Sequence, residues 1–319
     1  MKLASVDLGT NTFRLLIAEP KDAGMRRLVV ENRITRLGEA LGAEGATLHP
    51  RAVERALSAL GEFRYLMNAH RVGLHRAVGT SALRQAEDGG EFAALVRQRL
   101  GLRVDIIPGD EEARLTACGV LWSVGGRGSR QVIFDIGGGS TEFGLVKDGT
   151  LLAARSLDMG VVELTERLLR HDPPRPVELS VLRAEVAAQL ASITSLARQA
   201  FPGAPVDALM ATAGTPTTLA AMMLGLTRYD AARVNGYVLR SPDLEGWLTR
   251  LSAMPARERL AIPGLEPGRE DLILAGICIV LGTMLSFRTS EAVVSDGGLL
   301  EGVLLDLLAN PAKGASLQP

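Results

Sequence analysis

Val6-Asp7-Leu8-Gly9-Thr10-Asn11-Thr12 and Phe134-Asp135-Ile136-Gly137-Gly138-Gly139-Ser140-Thr141 are two copies of one design: an apolar run reaches Asp, turns on glycine and leaves through hydroxyl-bearing residues. A strand built this way offers backbone N–H groups and hydroxyls to a phosphate chain and a carboxylate to a hydrated cation. Each copy reads as half of a phosphate clamp. A single Asp-x-Gly turn joins hairpins in any β protein, but two, each set between β-compatible runs, predict a duplicated architecture.

Outward from the first copy, residues 2–8, 12–19 and 26–35 read as a three-strand meander. From Pro50, residues Val53, Ala56, Leu57, Leu60, Phe63, Leu66 and Met67 recur at three- and four-residue steps, one face of a helix. A strand at 74–79, helices within 81–100, a strand at 103–107 and a helix over 110–121 follow. Gly125-Gly126-Arg127-Gly128-Ser129 is the best internal boundary. Beyond it the pattern restarts, with strands at 131–136, 140–147 and 150–157, helices at 160–170 and 177–199, a strand at 207–212 and a helix from 215. Aligning Asp7 with Asp135 brings Phe13-Arg14-Leu15-Leu16 near Phe143-Gly144-Leu145-Val146. The expected fold is α/β in two lobes, residues 1–124 and 125–319, with the helix at about 298–308 able to pack back on the first lobe.

At 319 residues the chain has room for two domains, and a balance of 35 basic against 36 acidic residues supplies no field for nucleic acid. A polyanion must therefore be held by a local cluster of arginines. Cys118 and Cys278 have no metal-ligand or redox spacing. The apolar stretch Leu272–Leu285 falls short of the roughly 18–20 residues of a membrane span and reads as a buried helix. Without a signal-peptide pattern, the expected location is cytoplasmic. Walker A, GxGxxG, GxSxG and HExxH patterns are missing.

Seven stretches carry a resemblance: Asp7-Leu8-Gly9-Thr10-Asn11-Thr12-Phe13-Arg14, Gly79-Thr80-Ser81-Ala82-Leu83-Arg84, Pro108-Gly109-Asp110-Glu111-Glu112-Ala113-Arg114, Asp135 through Glu142, Ala213-Gly214-Thr215-Pro216-Thr217, Pro263-Gly264-Leu265-Glu266-Pro267-Gly268-Arg269 and Ser295-Asp296-Gly297-Gly298. In order and spacing the chain resembles the exopolyphosphatase / guanosine pentaphosphate phosphohydrolase family, of the superfamily of actin-like ATPases and sugar kinases. The resemblance implies a two-lobed actin-like ATPase fold with an interlobe cleft. The family often has Ser where Thr10 and Thr12 stand, and a small residue where Glu270 stands.

The resemblance places the catalytic carboxylate on Glu112. Elementary chemistry agrees, since phosphoanhydride hydrolysis needs a base or orienting group for water, although acidic residues also favour a first helical turn for its dipole. Glu111 is read in that structural role. Phosphate binding is expected from Gly9, Thr10, Asn11, Thr12, Arg14, Arg84, Gly137, Gly138, Gly139, Ser140, Thr141, Gly214, Thr215 and Arg269. Mg2+ is the implied cofactor, with Asp135, Glu142 and Asp7 as its ligands. The implied substrate is inorganic polyphosphate, with guanosine pentaphosphate as the close alternative and a homodimer as the implied assembly; no nucleic-acid or membrane partner is expected. A small-molecule kinase or ATPase, and a non-catalytic guanosine tetra- or pentaphosphate sensor, are the competing readings. The chain stops short of the C-terminal helical domain of some longer relatives.

Overall fold

Lys2–Leu8 (β1) is buried at every residue after Lys2, as expected of a strand in mid-sheet with cover on both faces. Thr12–Lys21 (β2) and Gly24–Ile34 (β3) extend it as an antiparallel meander. Pro50–Ala69 (α1) turns Ala52, Ala56, Leu60, Phe63 and Met67 inward; it starts on a proline, with His49 Nδ1 accepting the Arg51 N–H. Val72–Gly79 (β4), Ser81–Gln85 (α2), Gly89–Leu100 (α3), Val104–Ile106 (β5) and Gly109–Val124 (α4) follow. The sheet order is β3-β2-β1-β4-β5, with β4 parallel to both neighbours. The computed structural model describes residues 1–21, 24–39, 41 and 46–316.

The pattern repeats with Arg130–Ile136 (β6), Thr141–Lys147 (β7), Thr150–Leu157 (β8), Val161–Leu168 (α5), Pro176–Ala200 (α6), Ala208–Thr212 (β9) and Gly214–Met223 (α7). Ala231–Val234 (α8), Val238–Arg240 (β10), Ser241–Ser252 (α9), Ala256–Arg259 (α10), Ile273–Ser286 (α11) and Glu291–Val294 (β11) complete this half. Its sheet runs β8-β7-β6-β9-β11, with β10 added antiparallel at the edge. Both sheets thus share one strand order and one set of directions, the duplicated α/β core that the two Asp-x-Gly turns predict. The strands β10 and β11 were not expected from sequence; at three and four residues they are too short to show an alternation. The helix α11 is buried almost all round, which is why its sequence carries no amphipathic period. Among the described residues no helix is long and apolar enough to cross a membrane.

The hairpins correct the sequence alignment of the two halves. Leu8 pairs with Phe13 and Ile136 with Thr141, so the equivalent residues are Phe13 and Thr141, then Arg14 and Glu142. Matching Phe13 to Phe143 was off by two residues, a shift that preserves the face because the strand period is two.

The chain divides into two units, Met1–Gly119 with Leu299–Pro319, and Val120–Gly298. The division falls inside α4 rather than at residue 125, and the final segment belongs to the first unit, not to a lobe of 125–319. The reason lies in Leu299–Ala309 (α12). Leu300, Leu304 and Leu307 join Leu3, Leu16 and Ala18 in one apolar cluster, and Leu299 and Val303 join Val78, Ile107 and Leu115 in another. Gly302 permits this approach: a Cβ there would lie 1.8 Å from the Leu115 carbonyl oxygen. Buried Asp306 ties the helix down through Arg76 Nη1 at 2.9 Å, Arg114 Nη2 at 3.1 Å and Lys313 Nζ at 2.9 Å.

Candidate functional site

In the first unit, the turn Gly9-Thr10-Asn11 joins β1 to β2 and is held from behind. The Thr10 carbonyl accepts the Gly38 N–H, and the Asn11 carbonyl accepts the N–H groups of Thr35 and Arg36. With the Thr10 and Asn11 carbonyls committed, the turn is left richer in N–H donors and side chains than in carbonyl acceptors. Asp7 lies one strand residue before the turn and is 3% exposed. Its Oδ2 accepts from Arg14 Nε at 2.9 Å and Nη2 at 2.7 Å, while its Oδ1 is buried without a hydrogen-bond partner. Arg14, expected on phosphate, is thus paired with the neighbouring carboxylate across the hairpin.

The second cluster of this unit forms where β4 ends. Thr80 donates its N–H and hydroxyl to the Leu8 carbonyl, fixing the start of α2 beside the first turn. Arg84, on α2, donates through Nη1 to Glu112 Oε2 at 2.6 Å and to the Ile107 carbonyl at 3.1 Å. Glu112, in the first turn of α4, is 7% exposed. Its neighbour Glu111 points elsewhere, onto Arg114, whose guanidinium holds the Glu111 carboxyl below its ordinary range against the opposing effect of burial. Adjacent helical residues stand about 100° apart, so one carboxylate fastens α4 to Arg114 while the other meets Arg84.

In the second unit, Gly137-Gly138-Gly139 joins β6 to β7. The Gly137 N–H closes the turn on the Ser140 carbonyl, and the first N–H groups of α5 cap it: Val161 donates to Gly137 O at 3.0 Å and Val162 to Gly138 O at 2.8 Å. Gly160 is required for that contact, since a Cβ there would lie 2.1 Å from Gly138 O and 2.3 Å from Gly139 N. Asp135 and Glu142 sit directly opposite each other on β6 and β7, 5% and 2% exposed. Glu142 Oε1 accepts hydroxyls from Ser140 at 2.6 Å and Ser156 at 2.7 Å. Thr141 is fully buried and donates its hydroxyl to the Met159 carbonyl. The hydroxyls of Ser140 and Thr141, expected to face phosphate, here brace the turn because both are buried beside stronger internal acceptors.

The two hairpins therefore differ in charge at equivalent places. Asp7 faces Arg14, an opposite-charge pair; Asp135 faces Glu142, a like-charge pair of the kind that destabilises a sheet unless a cation or proton intervenes. An all-oxygen set of this kind, with hydroxyl-braced carboxylates, suits a hard divalent cation. The orphaned Asp7 Oδ1 suits water or a cation equally. Among the described residues no group of three or more His, Cys, Asp or Glu that could hold a metal ion is found.

A third locus lies at the start of α7. Ala213, the residue before the helix, has φ 73° and ψ −167°, a region that glycine alone occupies without strain, and it offers no side-chain cap to the helix N–H groups. The Arg269 guanidinium lies over Gly214, where a Cβ would come within 2.2 Å of both Nη1 and Nη2. Arg269 Nε donates to Glu266 Oε2 at 2.6 Å, and among the described residues no hydrogen bond occupies its two Nη groups. An uncapped helix N-terminus beneath free guanidinium donors favours an anion. Thr215 is 3% exposed and packs on Gly276 of α11, a Cβ on which would meet Thr215 Cγ2 at 2.4 Å. Sequence reading missed Ser156 and Gly160. The register Glu142↔Ser156 across β7 and β8 was the available signal for Ser156; Gly160 had none, because its need arises from a contact across sequence.

Residues 16–311 match the Ppx/GppA phosphatase family. Exopolyphosphatase 2 of Mycobacterium tuberculosis is 34% identical over 320 residues, which cover 96% of this chain and 98% of that protein. Exopolyphosphatase 1 of the same organism is 29% identical, covering 99% and 91%. Among solved structures, the Ppx/GppA family member of Aquifex aeolicus matches with a TM-score of 0.82 at 32% identity, covering 98% of each chain. An exopolyphosphatase from Cytophaga hutchinsonii matches with 0.88 at 28% identity, covering 97% and 98%.

Proposed function

This chain belongs to the Ppx/GppA phosphatase family and is a phosphoanhydride hydrolase, and we propose that it releases the terminal phosphate of linear inorganic polyphosphate, with Glu112 activating water. The observation that carries this reading is the Arg84–Glu112 pair, a 2.6 Å charge-assisted bond that fixes a nearly buried carboxylate at the head of α4. The names of the exopolyphosphatase relatives support the substrate.

In this reading Arg84 sets the orientation of the Glu112 carboxylate. The carboxylate takes a proton from water as the water oxygen bonds to the terminal phosphorus and the bridging P–O bond breaks, its electrons leaving on the shortened chain. The N–H groups of the Gly9–Asn11 and Gly137–Gly139 turns, the start of α7 and the Nη groups of Arg269 bind phosphate oxygens. Asp135 and Glu142, opposite each other on β6 and β7, would hold Mg2+. Bound there, the ion would supply charge neutralisation of phosphate oxygens. Arg14 acts through Asp7 rather than on the phosphate.

Phosphate release from defined-length polyphosphate and from guanosine pentaphosphate, with Mg2+ and beside Glu112→Gln, tests the reading. Release from polyphosphate that the variant loses while still binding substrate supports it. Preference for guanosine pentaphosphate reassigns the substrate, and full activity in Glu112→Gln removes the base.

A further inference from the structure

Arg259 is the largest fully buried side chain of the protein, 2% exposed. A buried cation costs free energy, and well-packed apolar residues in its place commonly match or exceed its stability. Its retention calls for a role that packing does not supply. The contacts name one. Nε donates to the Leu251 carbonyl at 3.0 Å at the end of α9, Nη1 donates to the Glu270 carbonyl at 2.7 Å, and Nη2 lies 3.6 Å from Asp172 Oδ1. The Asp172 carboxylate in turn accepts the Ala256 N–H at 2.9 Å, fixing the start of α10 that carries Arg259.

Glu270 works on the other side of the same turn. Its Oε2 accepts the Gly268 N–H at 2.6 Å, and Gly268 holds φ at 87°. Both neighbours of Arg269 are therefore tied, one through its N–H and one through its C=O. Arg269 itself donates its N–H to Glu266 O at 3.1 Å and accepts from the N–H groups of Leu272 and Ile273. Upstream, Gly264 presses on α7: a Cβ there would lie 2.4 Å from the Ala221 carbonyl carbon. The turn is fastened to the same helix whose N-terminus Arg269 covers.

We propose that Arg259 and Glu270 are positioning residues that hold the 266–271 turn so that the Arg269 guanidinium stays over Gly214 as a phosphate receptor. The inference rests on the assignment of Arg269 to phosphate binding. A flexible arginine on a free loop would lose conformational entropy at each binding event; a turn bonded on both flanks has lost it already.

The test is calorimetric binding of imidodiphosphate, a non-hydrolysable diphosphate, with thermal melting of each variant alongside. Glu270→Ala weakens binding by about fivefold to twentyfold, while Glu270→Gln, which keeps an oxygen acceptor for the Gly268 N–H, stays within about twofold of the parent protein. Arg259→Met weakens binding similarly and Arg259→Lys recovers part of it. In an Arg269→Met background, Glu270→Ala adds less than about twofold, because the group it positions is gone. The same loss in both backgrounds, or binding by Glu270→Ala equal to the parent's, overturns the clip. Imidodiphosphate binding that Arg269→Met leaves intact instead removes the phosphate assignment of Arg269, and the clip's function with it. The melting of Glu270→Ala separates either result from a folding defect.

Discussion

Gly214→Ala separates the proposed phosphate locus from the stability of the fold. The new Cβ would lie 2.2 Å from Arg269 Nη1 and Nη2 and 2.3 Å from Cζ, whereas ordinary contact begins near 3.4 Å. The guanidinium must retreat by a little over 1 Å. It can do so, because these atoms are the far end of a long side chain tethered to the exposed Glu266. Stability should hold or rise, since alanine in a helix is worth about 0.5–1 kcal/mol over glycine. Function should fall: a displacement of about 1 Å at a charge-assisted contact costs on the order of a hundredfold at most, and loss of one such bond is worth about 1.5–3 kcal/mol, or tenfold and upward. The expected result is a drop in kcat/KM on polyphosphate of roughly 10–100-fold, weaker imidodiphosphate binding and an unchanged or higher melting temperature. Unchanged kcat/KM in a fully folded Gly214→Ala protein would refute the placement of phosphate at Arg269 and the α7 N-terminus.

Glu112→Gln keeps the shape and an acceptor for Arg84 but removes the base; kcat on polyphosphate should fall by about 10²–10⁴-fold with KM changed far less, measured by steady-state phosphate release. Gly160→Ala has no soft neighbour to displace, since its Cβ would meet the backbone of Gly138 and Gly139; urea denaturation should show a loss of roughly 1–3 kcal/mol, together with lower activity. Glu111 is held below its ordinary value by Arg114, and in Asp306 burial pushes the carboxyl up but Lys313 and Arg114 outweigh it and hold it low. Both groups bind fewer protons folded than unfolded, so their stabilisation is present above the ordinary values of 4.5 and 3.8 and is lost as pH falls below them. Urea midpoints at neutral and acid pH should therefore differ less in Asp306→Asn than in the parent protein. Cys118 is exposed, whereas burial pushes the Cys278 thiol up to about 12; a thiol reagent at pH 8 should modify Cys118 alone in the folded protein.

Much of this molecule was legible one residue at a time. The strands of both meanders and the amphipathic α1 follow from local periodicity, which an element shows where one side meets the core, and α11 follows from an unbroken apolar run of helical length. The two Asp-x-Gly turns announced the duplication for the same reason, since a tight turn restricts its own residues. What periodicity could not carry was partnership. The return of α12 to the first unit was open from the sequence, but the spacing gave no indication that Arg14 would pair with Asp7, that Ser140 and Thr141 would turn their hydroxyls inward, or that Asp306 would be the group that ties α12 down. Sequence determined which segments are strands and helices and which residue types stand at the turns, because those choices rest on neighbours within a few positions. Tertiary structure decided that Asp135 meets a second carboxylate where Asp7 meets an arginine, that Glu112 rather than Glu111 meets Arg84, and that Arg269 rests on Gly214. Each of those outcomes is set by register and packing between segments distant in sequence or on separate strands, where burial favours partners for charges and hydroxyls that no local pattern names.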